Sequence, residues 1–138
     1  MLFKLQVNPS RQRLPYILLV ILLIVISLPA RLTDWYPLFI VIYVADALWA
    51  MMLYFLTATL FPKLSPLKLF TLCLVGAWLV EFSQLYQADW INDVRQWPFM
   101  GLLLGYGFRV ADLIAYTLGI SAGLAVDLFL LRLQNEDS

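Results

Sequence analysis

Four apolar runs, residues 14–32, 37–60, 67–87 and 109–131, constrain this chain more than any other feature. A run of about 18 apolar residues or more can cross a bilayer as a helix. Backbone in hydrocarbon must satisfy its own hydrogen bonds, which makes helices the expected form. The runs therefore predict an all-α integral membrane bundle of four transmembrane helices. They also predict a single domain over residues 1–138, since no stretch between them is long enough to fold alone. Composition agrees: 63% of residues are hydrophobic and 13% charged, against about 45–50% and about 25% in soluble domains.

Residues 97–108 are apolar but span only about 18 Å if helical. Gly101, Gly105 and Gly107 weaken a helix further. The expectation is a short re-entrant or interfacial segment, with a polar loop before it over residues 88–96. A polar tail is expected from Arg132 to the end. The basic residues before the first run also suit a secretory signal peptide. A cut after Ala30 would put Leu28 where a small residue is preferred, so an uncleaved span is the better reading. Four spans put both termini on one side, which would then hold Lys4, Arg11, Arg13, Lys63, Lys68 and Arg132. The other side holds Arg31, Arg95 and Arg109. Basic residues favour the cytoplasmic face, so both termini are expected there. Trp35, Trp90 and Trp97 then fall at the outer boundary, as an aromatic belt does.

Several function classes are excluded. The net charge is zero, with nine basic and nine acidic residues and no basic stripe, which argues against nucleic acid as a partner. There is no His, the commonest metal ligand and neutral-pH proton carrier. The single Cys73 forms neither an intrachain disulfide nor a Cys/His zinc site, and reads as a small packed hydrophobe. No phosphate loop with its Lys is present, and a Ser-His-Asp set is impossible. Neither a metal nor a cofactor is expected.

The chemistry lies in charges inside the greasy runs, which are costly and mark functional or paired groups. Glu81 falls about 10 Å inside the outer end of its span. Gln84 shares its face one turn above, since positions three apart are helix neighbours. Asp112 enters at the top of the last span, with Tyr116 one turn deeper. Asp46 lies about 13 Å inside the second span. Asp93, Arg95 and Arg109 sit in the loops above. Three spans thus direct carboxylates into the outer half beneath two arginines. Asp127 belongs near the inner surface, where it is expected to pair with Arg132 or meet water. Ala111, Ala115, Gly119 and Gly123 form a small-residue stripe that lets another helix approach closely. Packing within the bundle is its expected use, and pairing with a second copy is the alternative.

Glu81-x-x-Gln84, then Arg95, then Asp112-Leu-Ile-Ala-Tyr-Thr-Leu-Gly119 resembles the signature of VanZ-like bacterial membrane proteins, over roughly residues 75–125. That pattern has Asn where this chain has Tyr116. The whole chain is more similar to the uncharacterised DUF2809 group, through Asp46-Ala-Leu-Trp49 and Glu81-Phe-Ser-Gln-Leu-Tyr86. VanZ-like proteins are associated with low-level resistance to the glycopeptide teicoplanin, and the DUF2809 group carries no assigned activity. The resemblance implies a multi-pass protein of a bacterial inner membrane with an outward-facing polar site.

These observations leave four readings. The first is binding of a lipid or lipid-linked envelope precursor head group. Asp46, Gln84, Arg95, Arg109 and Tyr116 would line that cleft, Arg95 and Arg109 would hold the anion, and Glu81 and Asp112 would orient the arginines. The second is a membrane enzyme on lipid-linked substrates, with Glu81 or Asp112 as general base. The others are a proton-coupled carrier using Asp46 and Glu81, and a structural subunit.

Overall fold

The computed structural model describes residues 11–32, 37, 43–98, 100 and 110–136, with the side chains of residues 30–32 excepted. Five helices and no strand are present among the described residues: α1 (Arg13–Leu32), α2 (Ala45–Leu60), α3 (Pro66–Ser83), α4 (Asp89–Arg95) and α5 (Val110–Glu136). The all-α expectation holds. Arg109 and most of 97–108, with the re-entrant segment expected there, lie outside the described residues.

Local chemistry sets the helix ends. The Phe61 amide closes α2 on the Thr57 carbonyl at 2.9 Å. Ser65 then caps α3 by accepting from the Lys68 amide at 3.4 Å, and Pro66 occupies the first turn, where its missing N–H costs nothing. At the far end, Gln84, Leu85 and Tyr86 donate to the carbonyls three residues back, which tightens the last turn and stops α3 at Ser83. The apolar run had suggested continuation to 87. The expected polar loop over 88–96 instead contains α4, with Asp89 in its first turn and Arg95 in its last, each suited to the helix dipole. α5 likewise runs on into the expected tail, as far as Glu136. Within the helices, the hydroxyls of Thr57, Thr59, Thr71 and Thr117 each donate to the carbonyl four residues earlier at 2.7–2.9 Å. Such back-bonding satisfies a hydroxyl without water.

α1 packs on α2, α2 on α3 and α5, and α3 on α5. α2 and α5 run in the same direction and α3 runs against both. The Trp78 indole of α3 donates to Thr117 Oγ1 of α5 at 3.2 Å, tying the last half of one to the first half of the other. The closest approach is α5 on α2. A Cβ on Gly119 would overlap the Ala47 carbonyl and lie 2.9 Å from Ala47 Cα. At Gly123 it would lie 3.0 Å from Cγ of the Tyr54 ring. The small-residue stripe is thus filled by α2 at these two positions. Tyr16, Phe55 and Tyr54 form the aromatic centre, with edge contacts at 6.0 and 5.8 Å.

α3 and α5 are each long and apolar enough to cross a membrane. The described helices turn large apolar side chains outward: Leu14, Leu18, Ile21 and Val25 of α1, Leu72, Val75 and Leu79 of α3, and Ile114, Leu118 and Phe129 of α5 are exposed. The buried set includes Arg11, Asp46, Glu81, Gln84, Arg95, Asp112 and Asp127. Soluble proteins bury Asp, Glu and Arg rarely and avoid large exposed apolar patches.

Candidate functional site

The buried polar side chains gather at the two ends of the bundle. At the Glu81 end, Glu81 (0% exposed) comes from the last turn of α3, Gln84 from the cap position just after it, Arg95 (1%) from α4, and Asp112 from the first turn of α5. The partners of Arg95 include three acceptors. Nη2 donates to the Ser83 carbonyl at 3.0 Å, and Nη1 to the Tyr86 carbonyl at 3.1 Å and Asn92 Oδ1 at 2.7 Å. Two of these are carbonyls at the end of α3 and just beyond it, so the side chain caps α3 from the neighbouring helix. The planar guanidinium reaches several acceptors at once, which an ammonium does not.

Asp46 is buried on α2 but lies deeper. Its neighbour Ala47 faces Gly119, seven residues beyond Asp112, which puts Asp46 roughly 10 Å further along α5. Tyr116 lines a cavity of about 80 Å³ between α2, α3 and α5, with Trp49, Ala50, Leu53, Gly76, Ala77 and Val80. Six of the seven candidate residues are therefore described, and Arg109 is not. Glu81, Gln84, Arg95 and Asp112 share one end, and Asp46 and Tyr116 lie below them. Asp93 is exposed on α4.

The opposite end holds a second polar cluster, and here the structure departs from expectation. Asp127 pairs with Arg11, whereas Arg132 pairs with Glu136 one turn along α5. The Arg11–Asp127 pair is two-pronged: Nε to Oδ1 at 2.9 Å and Nη2 to Oδ2 at 2.7 Å. The Tyr16 hydroxyl donates to Oδ1 at 2.6 Å and the Tyr54 hydroxyl to Oδ2 at 2.7 Å. Arg11 Nη1 also reaches the carbonyls of Pro62, at 3.1 Å, and Leu64. Burial opposes the Arg11 charge, but Asp127's hydrogen bonds and charge outweigh it and hold the guanidinium above its ordinary pKa. Tyr16, Tyr54 and Asp127 lie at similar distances from one end of their runs, a depth match that could have paired them from sequence. Nearness along the chain and to the surface points instead to Arg132 or water.

Comparison with known families bears on the Glu81 end. The pattern of a family described as "Protein of unknown function (DUF2809)" matches residues 35–120. The chain belongs to the DUF2809 family. The matched region contains all seven candidate residues, from Asp46 to Tyr116. Of the second cluster's side chains, Tyr54 falls inside the DUF2809 match and Arg11, Tyr16 and Asp127 fall outside it. No solved structure matches the chain. Among the described residues, no group of three or more His, Cys, Asp or Glu is placed to hold a metal ion.

Proposed function

We propose that this DUF2809 protein is a multi-pass protein of a bacterial inner membrane, and that its Glu81 end binds the head group of a lipid or lipid-linked envelope precursor. In this reading α1, α2, α3 and α5 all span, both termini are cytoplasmic, and the Glu81 end faces outward. The apolar outer surface supports immersion in hydrocarbon, since charged groups within such a bundle turn inward. The likeness to VanZ-like proteins supports an outward-facing site.

One observation carries the binding reading. Charged side chains from three separate helices, Glu81, Arg95 and Asp112, are buried together at one end of a molecule with an apolar exterior. A helix tie needs fewer charges than this. The second cluster, with an ion pair and two tyrosines, already ties α1, α2 and α5. Arg95 supplies a rigid guanidinium, the group best matched to phosphate or carboxylate. Glu81 and Asp112 are buried at the same end.

The test is the lipid complement of protein purified in mild detergent, read by native mass spectrometry. Wild type is expected to retain an anionic lipid or lipid-linked precursor, and Glu81→Gln and Asp112→Asn are expected to lose it while eluting as folded protein. A wild type that retains nothing, or variants that retain the same species at the same occupancy, would overturn the reading. Conversion of the retained lipid by wild type but not by Glu81→Gln would establish an enzyme instead.

A further inference from the structure

The cavity between α2, α3 and α5 adjoins the polar end in a particular way. Each of its three walls leads toward a carboxylate. On α2, Asp46 precedes Trp49 and Ala50 by one turn; on α3, Glu81 follows Val80; on α5, Asp112 precedes Tyr116 by one turn. In all three cases the carboxylate is nearer the Glu81 end than the lining residues of its own helix. Glu81 and Asp112 thus stand above an apolar cavity, and Asp46, which lies deeper, stands beside its α2 wall.

We propose that this cavity takes a short length of one acyl chain of a phospholipid from the surrounding leaflet. This rests on the head-group reading and names the ligand class as a two-part amphiphile, head at the Glu81 end and chain below. Gly76 lines the cavity and is itself exposed, with no atom beyond its chain neighbours and its own helix backbone within 4 Å of where a Cβ would stand. Beside that opening Leu72, Val75 and Leu79 are exposed on α3. The opening therefore lies in the wall that meets hydrocarbon, and what enters sideways from hydrocarbon is a chain. Water suits the space poorly, because an ordered buried water needs about two to four polar partners and the lining is apolar apart from the Tyr116 hydroxyl and the Trp49 indole N–H.

Volume limits the occupant. About 80 Å³ is roughly half of the ~150 Å³ apolar cavity that accommodates benzene. It admits a few methylenes and not a whole tail. The drive is not the hydrophobic effect, since bilayer and cavity are equally apolar. It is the dispersion contact that an empty void forfeits. The cavity accordingly selects chain position and shape, while the polar end supplies most of the affinity.

The experiment compares wild type, Gly76→Leu and Glu81→Gln, each delipidated in detergent and titrated with dioleoyl phosphatidylglycerol by native mass spectrometry. Leucine at position 76 meets no neighbouring helix at its Cβ and adds bulk beside the opening, and circular dichroism of each variant checks its fold before titration. The expected result is at least tenfold weaker retention in Gly76→Leu. In parallel, unaltered protein is irradiated with phosphatidylglycerol carrying a diazirine along one chain, and label is expected on the peptides holding Trp49–Leu53 and Gly76–Val80. Unchanged retention in Gly76→Leu, or label confined to the exposed outer residues, overturns the chain site. If retention is unchanged in Gly76→Leu but lost in Glu81→Gln, the head-group reading stands and the chain site fails. Loss in Gly76→Leu with retention in Glu81→Gln gives the reverse. A wild type that binds no phosphatidylglycerol overturns both.

Discussion

Removing the Asp127 carboxylate strands charge and hydroxyls together. Asp127→Ala takes away both prongs of the Arg11 pair and the acceptors of Tyr16 and Tyr54. The Arg11 and Asp127 side chains are both 0% exposed, so the remaining guanidinium gains no water in exchange. Breaking a buried pair on one side costs about 3–5 kcal/mol. Each orphaned hydroxyl adds about 1–3 kcal/mol if nothing rearranges. Arg11 keeps its bonds to the Pro62 and Leu64 carbonyls and the tyrosines can turn, so the sum is an upper bound and about 4 kcal/mol is expected. That is nearly a thousandfold in the folding equilibrium. Arg11→Met alone should cost a similar amount. Arg11→Met with Asp127→Leu should recover much of the loss, because packed apolar side chains often replace a buried pair without penalty. Reversible unfolding in mixed micelles, followed by circular dichroism, measures Asp127→Ala and the closed cycle of wild type, Arg11→Met, Asp127→Leu and the double variant. Single variants within about 0.5 kcal/mol of wild type, or costs that simply add, would refute a coupled Arg11–Asp127 pair. Arg132→Ala is the control. Its pair with Glu136 is 79% and 60% exposed, and its removal should change stability by less than about 1 kcal/mol.

Three glycines should give three outcomes in the same assay. Gly119→Ala forces α5 away from the Ala47 backbone and should destabilise by about 1–3 kcal/mol. Gly123→Ala presses on the Tyr54 ring and should cost less, while Gly76→Ala should be neutral or stabilising by up to about 1 kcal/mol. Arg95→Lys should destabilise nearly as much as Arg95→Ala, because one ammonium does not reproduce the Ser83, Tyr86 and Asn92 contacts; full rescue by Lys would show that charge alone matters. In a Cys73→Ala background, Lys63→Cys should react with a membrane-impermeant maleimide only after cells are opened, and Asp93→Cys in intact cells. The opposite pattern would invert the proposed orientation.

Helix identity was legible from the apolar runs because the strongest signal in this sequence is uninterrupted hydrophobicity. Helix ends were less so. α3 stops at Ser83 because Gln84, Leu85 and Tyr86 close a tight turn, a backbone event that hydropathy does not report. α4 is too short, and α5 beyond Leu131 too polar, for the same signal to register. Gly119 and Gly123 announced close packing correctly, but only the structure names Ala47 and Tyr54 as what they meet. Charge inside apolar runs picked out Asp46, Glu81 and Asp112, and Arg95 entered as a loop residue above them. Two things were not readable. Arg95 serves the end of α3, a role set by where α4 folds back. Arg11 and Asp127 are 116 residues apart, a pairing that short-range pattern does not reveal.

The central claim is that the Glu81 cluster binds a ligand and does more than tie helices. The most direct measurement is the melting temperature of delipidated protein in detergent, with and without added phosphatidylglycerol, for wild type and Glu81→Gln. A ligand that binds only the folded state stabilises it by about 2.7 kcal/mol at a hundred times its Kd. Lipid is expected to raise the melting temperature of wild type and to leave that of Glu81→Gln unmoved, whatever the offset between the two lipid-free proteins. A lipid-free Glu81→Gln that melts far below wild type, yet responds equally to lipid, would contradict it and make the cluster a helix tie.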